Sequence, residues 1–353
     1  MVKTSLFASE ERETKLNKLG DVLSVMNKPI DFAGLALEID RVVARPSKLK
    51  GGRPAFPTEL MVRVLLVQQM FNLSDEQMAY QLLDRLSFQR FVGLRDSSQI
   101  PDRTTIWTFK ERLIAARASD RIFEAANTQL SHHGYVARGG QMIDASLVPV
   151  PTQHIGSADK AIVEQGATPA SWSPAQRRQK DTEAAWVKKH GKSHVGFKLT
   201  TSTDVRYKLI RKIEVSSASA HDTLHLEAVL DESNTRRDLY ADKGYTDKER
   251  EARLKQAGWR PHIQRKAKKG KPLSSCQERR NNRISKTRVR VEHPYAALQQ
   301  MGGKLLRSIG LARAELHLNF KVATYNLRRL CYLIEAGIAP LRSRVASRVA
   351  EIG

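Results

Sequence analysis

Apolar residues recur at helical spacing through much of the first 120 positions and at strand spacing after them. Between Phe32 and Val43, the residues Leu35, Leu37, Ile39 and Val42 follow a helical period, ahead of a Gly-Gly-Arg-Pro turn at 51–54. After Pro57, the run TELMVRVLLVQQMF sets Leu60, Val64, Leu65, Val67 and Met70 on a helical stripe that ends at Asn72. Ser74 then caps a second helix, with Gln77 in the third position of a capping box. Asp102 opens a third, RTTIWTFKERLIAARA. Three short helices joined by turns are compatible with a helix-turn-helix DNA reader and equally with an ordinary bundle.

From Gly139 the pattern alternates. QMIDASLVPV, VGFKLTTSTD and KLIRKIEVSS read as three strands, the last two joined by the polar turn 204–207. A helix over HDTLHLEAVLDE with Asp222 as its N-cap follows, then a strand in RDLYADKGY, a helix TDKEREARLKQAG ended by Gly258, and a strand WRPHIQRK. The order β-β-β-α-β-α-β-α predicts an α/β fold: a mixed sheet with flanking helices, preceded by an all-α region. Thr152 to Lys192 forms an aperiodic insert between the first two strands, either functional or wrapped over the surface. Ala312 to Ala336 reads as one long helix. The expected organisation is a peripheral arm (1–50), a helical DNA-binding domain (51–134), a sheet domain (135–310, insert 152–192) and a C-terminal helix (311–353).

Composition changes the picture in one respect. Sixty Lys and Arg against 37 Asp and Glu leave a net charge of +23, which a polyanion would offset, and nucleic acid is the leading candidate. The excess is concentrated: Arg260 to Arg290 holds twelve Lys or Arg and one acid, Glu278. Cys276 and Cys331 stand far apart with no CxxC pair, which excludes a disulfide framework, a cysteine-rich zinc site and an iron–sulfur cluster, and suggests a reducing compartment. With no apolar run near the ~20 residues that span a bilayer and no signal-peptide core, the chain is expected to be neither secreted nor membrane-spanning.

Three acids stand apart from the carboxylates that helical ion pairs explain. Asp144 interrupts an apolar strand, where a lone carboxylate is costly unless paired or metal-bound. Asp242 follows the apolar end of the strand LYA, where ligand sites of open α/β sheets gather. Glu292 closes the densest basic stretch. A carboxylate kept inside a DNA-attractive surface points to Mg²⁺, which takes oxygen donors and brings its own charge; three carboxylates around two such ions would cleave phosphodiesters. Taken singly, each acid is more simply a cap, an ion pair or a turn former. His221 and His225, four apart, read as surface or structural residues, and His190 and His194, which flank a Gly-Lys-Ser turn, as DNA-facing or inert. Trp172, Trp186 and Trp259 are the candidates to stack on an extruded base, Trp186 foremost.

Together, GRPAFPTELMVRVLLVQQ, NLSDEQMAYQLLDRLSFQRFVGL, IPDRTTIWTFKERL, IDASLV, KDTEAAWVKKHGKSHVGFKL, YADKGY and RVRVEHPYAAL, spread from Arg53 to Leu330, resemble a DDE transposase of bacterial insertion sequences, of the insertion sequence five type. That resemblance implies an RNase H-like catalytic domain with Asp144, Asp242 and Glu292 as its D, D and E, holding two Mg²⁺ that Mn²⁺ can replace. It further implies terminal inverted repeats and target DNA as double-stranded partners, a homodimer in the active complex and a cytoplasmic, nucleoid-associated location. Arg288, Arg290, Lys286, Lys243, Lys198, Arg103, Thr104 and Arg53 are the DNA-binding candidates. The family's Tyr and Lys around its Glu are Ser285 and Gln299 here, with Arg290, Lys286 or Lys304 as the cations nearest in sequence. Two rivals stand open: a nuclease of the same fold that cuts without joining, and a DNA-binding derivative that has lost its chemistry.

Overall fold

The computed structural model describes residues 5–44, 51, 54–95, 97–151, 153–189, 191–220, 222–267 and 270–340. Arg53, His190, His221, Lys268 and Lys269, singled out above, lie outside them. Eight helices come first: α1 (Ala8–Leu19), α2 (Val22–Met26), α3 (Phe32–Asp40), α4 (Thr58–Phe71), α5 (Asp75–Asp84), α6 (Leu86–Val92), α7 (Arg103–Ala115) and α8 (Arg121–His132). The expected signals hold at their ends. Asn72 takes the left-handed conformation that closes α4, Ser74 and Gln77 form the capping box of α5, and the Asp102 carboxylate accepts from the Thr105 amide at 2.7 Å. The stretch expected as a peripheral arm is less peripheral than its polar flanks suggested. Leu23 and Met26 of α2 and Phe32, Leu35 and Ile39 of α3 are buried in one cluster with α4 to α8.

The sheet follows: β1 (Gln141–Pro149), α9 (Ser157–Glu164), α10 (Pro174–Gln179), β2 (Ala185–Lys189), β3 (Lys192–Asp204), β4 (Ile210–Ser217), β5 (Asp238–Ala241), α11 (Lys248–Gln256), β6 (Arg260–Ile263), α12 (Ser275–Arg288), α13 (Glu292–Gln300) and α14 (Leu311–Glu335). β1, β3 and β4 form the antiparallel meander; β5 pairs parallel with β1, and β6 parallel with β5. The expected mixed α/β sheet with flanking helices is therefore present. The insert contributes two short helices and β2, a hairpin partner of the first residues of β3. The helix expected over HDTLHLEAVLDE forms only a 3₁₀ turn at Asp222–His225, with isolated turns after it. Ser233 and Asn234 draw the chain into side-chain-to-backbone turns there: the Ser233 amide donates to Asp231, and Asn234 bonds Gly140 in both directions.

α14 ties the two regions together. Its Leu316, Phe320 and Leu327 lie in the helical cluster, while Ala314 and Leu318 join Phe197 and Leu199 beneath the sheet. Asn326 bonds both the amide and the carbonyl of Ile210 at 3.0 and 2.7 Å, and the Tyr325 hydroxyl donates to the Lys208 carbonyl at 2.5 Å, so the β3–β4 turn is bound to the helix face. The segment between α13 and α14 is held as closely. Gly302 has φ +83° and stands where a Cβ would lie 2.3 Å from Asn72, so only glycine fits.

Lys321, on α14, is fully buried and donates to the Met301 carbonyl at 2.8 Å. Burial first and Arg307 second lower its pKa from 10.5 to about 8. Between those two values the unfolded chain holds a proton that the folded one lacks, so stability rises with pH across that window. Urea unfolding should show the wild type gaining on the order of 3 kcal/mol relative to Lys321→Met between pH 8 and 10.5; a difference that stays flat would refute the buried, charge-penalised lysine.

Candidate active site

The last paired residues of β1 and β5 are Met142 and Tyr240. Asp144 and Asp242 each lie two residues further along, so the same register sets them level on neighbouring parallel strands. Asp242 keeps an extended backbone (φ −79°, ψ 177°), so side-chain alternation carries both carboxylates to the face of Met142 and Tyr240. Val291 packs on that face too, in one cluster with Met142, Val205, Tyr240 and Tyr295. The next residue is Glu292. As expected from Pro294, Glu292 begins a helix: α12 ends at Arg288, Val289–Val291 make a 3₁₀ turn, and the proline takes the first turn of α13, where no amide donor is needed. Three separate elements thus bring the three acids to one side of the sheet.

Each acid has a different local setting. Asp144 is partly buried and meets the Arg288 guanidinium at 3.4 Å. Arg288 is itself fixed by the Gln264 side-chain oxygen at 3.0 Å, and Gln264 donates to Ser285 at 2.7 Å. Asp242 accepts from the Gly244 amide at 2.7 Å, capping the short turn that follows it. Glu292 is exposed. Tyr295, which sequence reasoning passed over, donates to the Asp144 carbonyl at 3.2 Å and stands 3.0 Å from the Thr201 hydroxyl, joining α13 to β1 and β3. Burial first, and Asp144 second, push its phenol far above the ordinary range, so it stays a neutral donor. Only its three-residue spacing from Glu292 in EHPY could have flagged it.

The donor set consists of carboxylates without His or Cys, which suits a hard divalent cation in kind. Among the described residues, no three His, Cys, Asp or Glu side chains stand grouped to hold a metal ion. The positive charge that Asp144 meets here is the guanidinium of Arg288. The acids are thus collected on one face without forming a closed cage, as expected of like charges that nothing bridges.

The cations divide into two groups. Arg265 makes a two-pronged pair with buried Glu251 at 2.6 and 2.9 Å, Arg280 donates to the Ile263 carbonyl, Arg260 pairs with Asp238, and Arg288 meets Asp144. These hold β6, α11 and α12 in place. Lys266, Lys271, Arg279, Arg283, Lys286 and Arg290 are exposed, as is Lys243 beside Asp242. Lys198 turns to the Ala220 carbonyl, and Arg103 and Thr104 open α7 in the helical region, on different elements from the acids. Gln299 adds no charge, but Lys304 reaches Ser146, two residues past Asp144 on β1, and sits 5.5 Å from the Tyr295 ring centre. His225 faces Glu214 at 3.9 Å, in keeping with a structural role.

Residues 137–327 match the family model described as "Transposase DDE domain", a stretch that holds all three acids and more than half of the chain. The chain belongs to that DDE transposase family. Residues 10–112 match a second model, "Transposase domain (DUF772)", which spans the helical region. Among solved structures, the piggyBac transposase, in a synaptic complex with hairpin DNA, is similar at 11% identity and a TM-score of 0.46, over 92% of this chain and 77% of that one. Among the described residues of the DDE transposase, no helix is long and apolar enough to cross a membrane.

The two groups of arginines should separate in unfolding experiments. Arg265→Ala leaves the buried Glu251 charge without its partner and should cost about 3 kcal/mol in urea. Arg283→Ala on the exposed face should stay within about 0.5 kcal/mol of wild type. Equal costs would remove the distinction.

Proposed function

We propose that this chain is a transposase of the insertion sequence five type, acting in the cytoplasm on the nucleoid. It binds the terminal inverted repeats of its element, hydrolyses a phosphodiester at each end and joins the freed 3′-hydroxyl to target DNA. The observation that carries the reading is the placement of Asp144 and Asp242 at one register on neighbouring strands, with Glu292 following Val291 onto the same face, inside the family-matched stretch. Asp144, Asp242 and Glu292 are the residues that would hold two Mg²⁺, for which Mn²⁺ can substitute. A divalent cation supplies a Lewis acid that lowers the pKa of a bound water and offsets charge on the phosphate.

The chain's own residues do the rest. Tyr295 fixes the β1 backbone at Asp144, and Gln264 fixes Arg288. Arg288 supplies a positive charge beside Asp144, and Lys304 a second one at Ser146, a place for a strand phosphate that Gln299 leaves unserved. Water adds to phosphorus as the 3′ oxygen departs, leaving a 3′-hydroxyl and a 5′-phosphate. That hydroxyl then displaces a 3′ oxygen of the target strand, so phosphodiester bonds are conserved. Holding two ends at once calls for a dimer in the active complex.

Duplex DNA carrying both ends of the flanking element, incubated with Mg²⁺, should yield nicked ends and joined product with wild type. Asp242→Ala should cut at least about a thousandfold more slowly, equivalent to about 4 kcal/mol of transition-state stabilisation. Nicking without joining would identify a nuclease, specific binding with no product from wild type would leave only DNA binding, and identical products from Asp242→Ala would exclude Asp242 from the chemistry. With six exposed cations on the tract among the described residues, log K should fall with log salt at a slope of about −5, and Arg283→Ala with Lys286→Ala should reduce that slope by about 2. A salt-independent affinity would exclude the tract from DNA contact.

A further inference from the structure

A cavity of about 460 Å³ lies between α4, α5 and α7 on one side and α14 with the segment before it on the other. Of the site residues above, Arg103 lines it, and none of the three acids does. Leu65, Leu73, Leu316 and Phe320 give it an apolar lining, and Trp107, 49% exposed, stands in its wall. Of the three tryptophans considered for stacking above, only Trp186 is open, and Trp259 is packed in the core as its strand position suggests. Trp172 and Trp259 are buried, Trp172 donating its indole N–H to Asp159, and Trp186 is 36% exposed on β2. Among the tryptophans, then, the most open ring faces a cavity of ligand size.

The polar groups of this cavity are incompletely satisfied. Gln68 and Gln69 are 3% and 7% exposed. Gln68 donates to Asp75 at 2.6 Å and Gln69 lies 3.4 Å from His317 Nδ1, yet the side-chain oxygens of both glutamines and His317 Nε2 have no hydrogen-bond partner among the described residues. Burial and the cations Lys321, Lys110 and Arg307 push His317 down to about 3, so the ring is neutral. With Gln69 donating to Nδ1, Nε2 carries the hydrogen. Two buried acceptors and one buried donor thus stand unpaired on residues that line the cavity, each of which costs free energy until something pairs with it.

The rim is cationic. Asp75 is taken up by Lys110 and Glu111 by Arg313; among the described residues Arg103, Arg178 and Arg307 form no ion pair, nor does Glu76, so three cations face one acid there. Arg307 is held in place by the side chain and carbonyl of Asn72 at 3.0 and 2.9 Å. The same short segment carries Lys304 to Ser146, so the rim adjoins the strand of Asp144. A partly apolar cavity with an aromatic wall, unsatisfied donor and acceptor groups on its lining residues and unpaired arginines at the rim matches an unstacked nucleotide: base inside, phosphates outside.

We propose that this cavity accepts an unstacked base of the DNA strand, stacked on Trp107 and bonded by Gln68, Gln69 and His317, with Arg103, Arg178 and Arg307 holding the flanking phosphates. The inference rests on DNA being the partner, but not on the three acids. It assigns to the helical region, beside any reading of duplex grooves, the capture of a single extruded nucleotide.

The test uses the full chain and two single-stranded 12-mers of identical length and charge, one natural and one with abasic sites throughout. Binding is read by fluorescence anisotropy and by tryptophan quenching. Wild type should bind the natural strand at least about fivefold more tightly, the low end of one base–aromatic stack. Trp107→Leu should erase that preference without weakening abasic binding, and Trp107→Phe should restore most of it. The assay contains EDTA and no divalent cation, so it reads binding alone, which separates failure of this inference from failure of the chemistry. Equal affinity of wild type for both strands, or the same loss on both with Trp107→Leu, would overturn the pocket. Quenching by dAMP at the concentration at which the natural strand acts would overturn the strand as its source in favour of a free nucleotide.

Discussion

The structure depends on α14. One helix of 25 residues must satisfy two cores at once, and its apolar positions are shared between the helical cluster and the underside of the sheet. Apolar packing alone would leave such a helix free to slide by a turn, because Leu and Val contacts are not directional. The polar contacts remove that freedom. Asn326 bonds both the amide and the carbonyl of one residue of β4, Tyr325 and Arg329 bond the carbonyls of the turn before it, and Lys321 finds the last carbonyl region of α13. Each buried polar group is costly unless its single partner is in place, so a shift in register would leave several of them unmatched.

From that fixed frame, the site is assembled by register more than by contact. The acids come from a strand interior, a strand end and a helix start, three positions whose side chains share a face because the sheet is parallel at β1 and β5 and because Val291 needs the apolar ground beside Met142. Their mutual repulsion is tempered by Arg288 on Asp144 and by the amide of Gly244 on Asp242. The basic tract around them divides its labour. A protein this cationic must spend some arginines on its own carboxylates to hold shape, and those on β6 and the inner side of α12 do so, while the outward ones remain for phosphates.

Much of this was legible in the sequence where local chemistry decides structure. Caps at Ser74 and Asp102, the strand over QMIDASLVPV and the stop at Gly258 each answer to residues within a short stretch, and each was found in place, although burial along that strand does not alternate. Asp144 stood out because its neighbours are apolar, Asp242 because a strand ends there. What escaped notice depends on distant partners. The 221–232 stretch has a helical period, yet the Asp231 amide donates to the Gln141 side chain, the Asp231 carboxylate accepts from the Ser233 amide, Asn234 bonds the Gly140 backbone, and the helix gives way to turns. α6 and α8 carry no strong cap and went unmarked. Trp107 looked like any aromatic on an amphipathic helix; only the packing of α14 across from it makes a cavity at its side.

The close approach at Gly302 has a further consequence. With no room for even a methyl group between it and Asn72, and with Arg307 bonded to the same asparagine, the junction of the two regions is a weld and not a tether. Close packing of that kind offers no slack: a shift at the end of α4 is passed on to the segment before α14, as between two parts of one casting.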